Sequence, residues 1–464
     1  MRSILVTLMI FGAIPFAVVR PFVGLCLYFW ISYMNPHRLT YGFAETFPFA
    51  LIAGAVTIAA WLMSKEPKKL PMNFGTGLMI GFAVWISLTT LFALVPDQAV
   101  PTWIQAVKIL LMTFLTMILV TSRARLDALI WTIVVSIGYF AVKGGLFTLA
   151  TGGTYRVYGP PDSMIADNNS FALATIITVP LARYLQMQVK NRWVKWSLLC
   201  SIVLMIISAA GSYSRGALLS LTVMAMFMWM KSRGKIVLGV GIVTVALVGL
   251  AFMPEQWFHR MDTMKTYEED NSALSRFNSW TFAYNFAVDH PILGGGFDVF
   301  SDDKLWPRYA PNPEDKHNAH SIYFEVLATH GFPGLAMFLL ICAAAFRHGS
   351  WVIRRTKARP DLFWARDIAA MTQCSLLGFT VGGAFLNLAF FDLFWHLIAI
   401  LILVQVMVKR EIATANVVAE RAVLPAIAPA MASASGAIVA SAPVRSFLRR
   451  SAPRTVSKSF LRQR

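Results

Sequence analysis

Residues 103–150 read WIQAVKILLMTFLTMILV, then TSRARL, then DALIWTIVVSIGYFAVKGGLFTLA. Two long apolar runs thus flank a short connector that carries Arg123 and Arg125. Apolar runs of about 20 residues match the hydrocarbon thickness of a bilayer, whereas buried strands and soluble core helices are shorter. Backbone in lipid must satisfy its own hydrogen bonds, so each run has to be a helix. A transmembrane barrel would instead show alternating segments of about ten residues, a pattern this sequence lacks. Working outward, similar runs lie near 3–19, 21–34, 47–63, 74–95, 168–188, 194–211, 215–230, 235–253, 320–346, 367–388 and 391–408. With 57 % hydrophobic and 14 % charged residues, the chain is expected to be an all-α, polytopic membrane protein. About 12 or 13 crossings follow, depending on whether 3–34 and 367–408 each hold two.

The connectors sort by charge. Lys65–Lys69, Arg123–Arg125, Lys190–Lys195, Lys231–Lys235 and Arg347–Arg359 are basic and fall at every second connector. That is the positive-inside pattern and directs these loops to the cytoplasm. The net charge of +18 is therefore read as a topology signal and not as a nucleic-acid surface. Connectors 35–46, 96–102, 151–167 and 254–319 then face the periplasm or its equivalent. The run Ile4–Val19 lacks a basic start and an Ala-x-Ala exit, so it reads as a retained helix. Cys26, Cys200, Cys342 and Cys374 all lie within apolar runs and are expected to be small hydrophobes rather than metal ligands or disulfides.

Four regions result: N-terminal membrane helices over 1–253, a large periplasmic loop over 254–319, C-terminal membrane helices over 320–410, and a basic tail over 411–464. The loop holds 11 of the chain's 23 acidic residues. Its aromatic residues Trp257, Phe277, Trp280, Tyr284, Phe286, Trp306 and Tyr309 favour an ordered element containing helices. The tail has no acidic residue from Arg421 onward. Its Ala, Pro, Ser and basic composition is expected to stay disordered on the cytoplasmic side.

Three motifs stand at membrane–periplasm boundaries. Gly211-Ser212-Tyr213-Ser214-Arg215-Gly216-Ala217 joins two apolar runs and places an arginine against the basic-residue bias. A guanidinium at a helix N-terminus, among small residues, makes an anion site suited to phosphate; its plainer reading is a snorkelling arginine. Ser275-Arg276-Phe277-Asn278-Ser279-Trp280 has helical periodicity and leads to His290-Pro291-Ile292-Leu293-Gly294-Gly295-Gly296. Those glycines permit either a tight turn or close backbone approach to a ligand. His317-Asn318-Ala319-His320 is expected to open the returning helix with both histidines on one face. There a neutral imidazole could serve as general base near neutral pH; a two-histidine metal site and an interfacial anchor are the other readings.

The motifs in this order resemble the O-antigen ligase/polymerase superfamily of bacterial membrane glycosyltransferases. That family carries a Ser-Arg-Gly-Ala helix start, matched by Ser214–Ala217. It also carries an Arg-x-x-x-Trp helix before a Pro-x-x-Gly-x-Gly turn, matched by Arg276–Trp280 and Pro291–Gly296. A histidine-led helix running to Gly-x-Pro-Gly is matched by His320–Phe324 and Gly331–Gly334, with Ser321 and Phe324 replacing the commoner Asn and Leu. The resemblance spans about residues 20–408. The start Ser32–Thr40, with Gly42-Phe43-Ala44, and Ile165–Asn169 are similar to the branch of exosortase A system-associated O-glycosylation ligases.

The resemblance implies transfer of a glycan from an undecaprenyl-pyrophosphate donor to an acceptor hydroxyl on a lipid, protein or polysaccharide, without metal or cofactor. His320, Arg276 and Arg215 are then the expected catalytic residues. Ser214, Trp280, Gly294, Gly296, His317, Asn318, Asn168 and Arg38 are the expected substrate contacts. A repeat-unit polymerase would use the same donor chemistry. A lipid-linked sugar transporter would want polar residues at mid-membrane, for which Lys143, Asp392 and His396 are the candidates.

Overall fold

The computed structural model describes residues 1–231, a subset of those between 234 and 258, and residues 271–436. Its helices are α1 (Arg2–Val19), α2 (Pro21–Met34), α3 (Phe43–Thr46), α4 (Phe49–Met63), α5 (Phe74–Leu91), α6 (Pro96–Leu119), α7 (Arg123–Ala150), α8 (Asn168–Gln188), α9 (Arg192–Gly211) and α10 (Arg215–Lys231). After the incompletely described stretch follow α11 (Asn271–Asp289), α12 (Trp306–Tyr309), α13 (Ile322–Arg355), α14 (Phe363–Gly382) and α15 (Asp392–Gly436). No strand occurs among the described residues, and nine of their helices are long and apolar enough to cross a membrane. α2 and α4 are apolar but only 14 and 15 residues long. The expected span at 235–253 lies largely outside the described residues, as do loop residues 259–270.

Local chemistry sets the helix starts. Asn73, Ser122, Asp167 and Asn191 each cap a first turn through a side-chain oxygen, removing an orphan backbone N–H from the count. Pro21 and Pro96 occupy first positions, where a missing N–H costs nothing. The connector expected at 96–102 is instead the first turns of α6, so the link from α5 is only residues 92–95.

Tight approaches then build the bundle. α7 lies against α9 because Gly145 and Gly211 leave room: a methyl group at Gly145 would sit 2.2 Å from the Leu204 carbonyl oxygen, and one at Gly211 would sit 2.2 Å from Thr148 Oγ1. Small residues let helices pack where the lipid supplies little hydrophobic drive of its own. The opening turns of α15 form the centre, with Leu393 through Ile402 fully buried. Trp395 stacks on Phe82 of α5, and Phe394 stacks on Phe379 of α14. Buried His396 bonds Tyr33 Oη of α2 at 2.9 Å and reaches Thr116 Oγ1 of α6 at 3.4 Å. Asp392 and His396 thus cross-link three helices, while Lys143 is exposed.

Loop contacts separate the two ends of the bundle. At the basic end Arg125 makes a two-pronged ion pair with Glu66 (2.9 and 2.6 Å), and Gln188 donates to Asp367. At the other end Leu94 N–H donates to the Gly295 carbonyl, Arg38 pairs with Asp162, and Asn168 bonds Ser212. The loops sorted together by charge are therefore together in space.

The compact unit ends at Lys409, and a second unit covers Arg410–Arg464. Of the tail, the described residues 410–436 are assigned to the helix that ends at Gly436. Alanine, frequent here, is the strongest intrinsic helix former. Residues 437–464 lie outside the described residues.

Candidate functional site

The site is built around a loop held by one helix. α11 presents Ser275, Asn278, Ser279 and Trp280 to the segment 312–319. Asn278 Nδ2 donates to the carbonyls of Asn312 and Asp315, each at 2.8 Å, and its Oδ1 accepts the Asn312 N–H at 2.8 Å. Ser275 Oγ donates to Asp315 Oδ1 and Ser279 Oγ to the His317 carbonyl. Trp280 Nε1 donates to the Ala319 carbonyl at 2.8 Å. A segment without regular secondary structure thus has its backbone groups satisfied by side chains of a neighbouring helix.

His320 follows this anchored stretch. It does not open a helix, as its sequence suggested: Ser321 is the N-terminal flank of α13, which begins at Ile322. His320 itself has φ +43°, in the left-handed region. Non-glycine residues rarely adopt that conformation, and a defined site is a common reason for holding one. Consequently His317 and His320 do not share a helix face; their ring centroids are 6.4 Å apart and tilted by 46°. His317 Nε2 instead lies 3.0 Å from Asp315 Oδ1. Among the described residues no group of three or more His, Cys, Asp or Glu side chains converges as a metal cluster would.

Burial holds the His320 imidazole below the ordinary histidine range, and the Arg276 guanidinium and His317 push in the same direction. Asp167 opposes them with its negative charge. The half-buried ring is therefore biased toward its neutral, proton-accepting form, and Arg276 of α11 is close enough to act on it electrostatically.

The Arg215 motif forms the turn between α9 and α10. Tyr213 has φ +60°, and its hydroxyl donates to the Gly153 carbonyl at 2.7 Å. This reverses the chain between α9 and α10. Ser214, expected as a substrate contact, is buried and accepts the Ala217 N–H through Oγ at 3.3 Å, so its hydroxyl caps α10. Arg215 is then the first residue of α10, where helix-end N–H groups and a guanidinium coincide. Gly216 packs on Phe385, leaving 3.5 Å for a methyl group. Phe385 lies 6.3 Å from Trp280, which stacks on Phe324 at 5.2 Å and 14°. An aromatic shelf thus links the Arg215 turn with the helix that anchors the His320 loop. Asn168 donates to the Ser212 carbonyl at 2.8 Å and so ties the start of α8 to the Arg215 turn.

Several of the other expected contacts also bond or pack within the protein itself. Gly294 and Gly296 adopt φ +64° and +76°, and methyl groups there would come within 2.6 Å of the Ala328 carbonyl oxygen and 2.4 Å of Ala93 Cβ. The turn docks on a break in α13 at Gly331 (φ +68°, ψ −175°). Pro333 has no N–H to offer Thr329; the Gly296 N–H takes that carbonyl, the Gly295 N–H takes Ala328, and Trp85 Nε1 takes His330, each at 2.9 Å. The glycines are thus needed to satisfy an interrupted helix. Arg38 is held by Asp162 at 3.4 Å, and exposed Asn318 stays on the His320 loop. Sequence reasoning gave no separate role to Asp167 or Phe324, which it met only inside motifs, and it overlooked Phe385 and the anchoring role of Asn278. For Asp167 a signal existed, an acid directly before a helix at the extracytoplasmic end.

Residues 200–339 match the model of the O-antigen ligase family, and residues 1–190 match a family of unknown function (DUF5935). The first match contains the Ser214, Arg276, Gly294 and His320 motifs together. It supports the ligase/polymerase superfamily and, with the membrane helices, a multi-pass membrane enzyme of the glycosyltransferase type. No curated protein matches the chain.

Proposed function

We propose that the protein is a metal-independent glycosyltransferase of a bacterial inner membrane. It moves a glycan from an undecaprenyl-pyrophosphate donor to an acceptor hydroxyl on the periplasmic face. One observation carries this reading: a neutral-biased His320, on a loop braced by α11, lies within electrostatic reach of Arg276 of that helix. The ligase match over residues 200–339 agrees with it.

In the reaction the acceptor oxygen attacks the anomeric carbon of the donor glycan, and the bond from that carbon to the pyrophosphate oxygen breaks. His320 takes the hydroxyl proton as the new glycosidic bond forms. Charge accumulates on the departing lipid pyrophosphate, where Arg215 and Arg276 stabilise it; two guanidiniums can supply the neutralisation that a divalent ion supplies elsewhere. Trp280 positions His320, and exposed His317 and Asn318 with half-buried Asn168 offer polar contacts to the sugars. The branch similar at Ser32–Thr40 and Ile165–Asn169 is named for O-glycosylation, and that name extends the proposal to a protein hydroxyl as acceptor.

The test is glycan transfer in vitro with purified protein, a native undecaprenyl-pyrophosphate-linked glycan and an acceptor extract, with and without EDTA. Transfer that survives EDTA and is lost in Arg215→Ala, Arg276→Ala and His320→Ala supports the mechanism, and the labelled product identifies the acceptor. Full activity in all three variants refutes the site. A product of lengthening repeats on the donor lipid would identify a polymerase.

A further inference from the structure

We propose that the exposed apolar face of α11 rests in the bilayer leaflet at the extracytoplasmic end, which makes this helix of the large loop an interfacial one. The inference goes beyond the glycosyltransferase reading and does not depend on it.

Spacing gives α11 two faces. Leu274, Phe277, Thr281, Tyr284 and Val288 recur three and four residues apart and so share one side of the helix. All five are exposed, the four large ones between 43 and 54 %. None of the five is charged. The other side carries Asn278, Phe282 and Phe286, which are buried; the two phenylalanines pack with Trp306 and Tyr309. A helix that packs by one side and shows a continuous apolar stripe on the other has room for a second apolar neighbour.

The position of α11 identifies that neighbour. It runs beside the first turns of α13: Trp280 bonds Ala319 and stacks on Phe324, and further along Phe286 shares an apolar cluster with Ala328. Those turns are tied at both ends to the ends of membrane helices. Tyr323 Oη donates to the Thr380 carbonyl at 2.7 Å, in the last turn of α14. Gly295 N–H donates to the Ala328 carbonyl, and the Gly295 carbonyl accepts the N–H of Leu94 in the link from α5 to α6. α11 is therefore held along the end of the bundle and does not project from it.

The stripe also continues into surface that a membrane helix turns to lipid. Ile292, four residues beyond Val288, is exposed, and the neighbouring Pro291 carbonyl accepts the Phe332 N–H at 2.9 Å. Phe332, Leu339 and Leu340 are in turn exposed on α13, a helix long and apolar enough to cross the membrane. One apolar surface thus runs from the crossing helix onto α11, and the occupant common to both is the bilayer. Interfacial helices bury such a face about 5–10 Å into the boundary between headgroups and acyl chains, a depth that suits the tyrosine at 284. Through Asn278 and Trp280 the same helix holds the loop that carries His320, so the leaflet sets the height of that loop.

The test places nitroxide labels on the full-length protein in phospholipid vesicles, using Phe277→Cys, Tyr284→Cys and Val288→Cys with Cys26, Cys200, Cys342 and Cys374 changed to alanine. Leu339→Cys on α13 is the lipid reference, and Glu314→Cys, at an exposed position on the His320 loop, is the water reference. Power saturation by oxygen and by a nickel chelate reads each site. We expect the three α11 labels to follow Leu339→Cys, with oxygen collisions exceeding nickel collisions several-fold, and Glu314→Cys to show the reverse. Wild-type protein gives a second reading that needs no substitution: a phospholipid with a diazirine on its acyl chain is expected to label α11 on irradiation. Labels as open to nickel as Glu314→Cys, with no diazirine adduct in α11, mean that the face meets water and overturn the proposal. Protection from both reagents means that protein covers the face, a second copy of this chain if light scattering finds a dimer, and overturns it as well.

Discussion

The indole N–H of Trp280 donates to the carbonyl of Ala319 at 2.8 Å, so a side chain of α11 holds the backbone one residue before His320. The same ring stacks on Phe324, just inside the helix that follows. His320 is therefore gripped from both sides in a left-handed backbone conformation. Trp280→Phe keeps the stacking surface and removes the hydrogen bond, a net loss of about 1 kcal/mol in a typical case. We expect it to lower kcat about tenfold, with little change in donor KM, and to leave the protein folded. Steady-state kinetics of purified variants checks the split, and a raised KM at constant kcat would make Trp280 a binding residue.

The pH dependence follows from the environment of His320. Burial, reinforced by Arg276 and His317, holds its pKa below 6.5. Its neutral form therefore persists to lower pH than a free histidine's, and the acid limb of kcat/KM should lie below 6.5. The folded protein binds this proton less tightly than the unfolded chain does. The group thus withdraws stability as pH falls from the ordinary histidine value toward its folded one. His320→Asn removes that contribution and nearly all activity, a loss of roughly 10²–10⁴-fold for a positioned base.

Arg215 and Arg276 are expected to differ from lysine in kind. Lysine keeps the charge but loses the planar fork that matches phosphate oxygens. Each Arg→Lys variant should lose about 10–100-fold in kcat, and each Arg→Ala variant about 10³-fold or more. Single-turnover rates with saturating donor measure this. Equal effects of Lys and Ala would show that charge alone is insufficient, and full activity in either Lys variant that the fork is dispensable.

Gly294 tests whether the glycine turn serves packing or binding. Alanine there meets the Ala328 carbonyl oxygen at 2.6 Å in a backbone conformation unfavourable to it. Gly294→Ala should cost about 2 kcal/mol or more in stability. It should show as a lower unfolding temperature in detergent, with the donor KM unchanged in the protein that remains folded. A wild-type unfolding temperature with a raised KM would return the turn to substrate binding.

Much of the architecture was legible because lipid imposes simple rules. The runs at 127–150 and 391–408 could only be helices, and the charges at Arg123, Lys190 and Arg347 sorted the loops into two groups that meet at opposite ends. The reading was weaker at connectors. Residues 96–102 looked like a polar loop because Pro96, Asp97 and Pro101 interrupt the hydropathy, yet proline near a helix start is compatible with helix. His320 was expected on a helix because His317 and His320 have helical spacing. Spacing cannot reveal that Ser321 flanks the helix start or that φ at His320 is positive.

For the site, the chain identified which residue types could do the chemistry: Arg215, Arg276 and His320 were singled out as charged or titratable groups at membrane boundaries. Their surroundings are set by residues far apart in sequence. Trp280 holds the Ala319 carbonyl from 39 positions earlier in the chain, Phe385 packs on both Gly216 and Trp280, and the broken turn at Gly331 consumes the N–H groups of Gly295 and Gly296. The sequence by itself determined that the chain forms membrane helices, and with them which loops share an end, because hydrophobic length and charge act locally on each segment. Only the tertiary structure decided which of those polar groups satisfy the protein's own backbone, because hydrogen-bond satisfaction depends on neighbours brought together by packing.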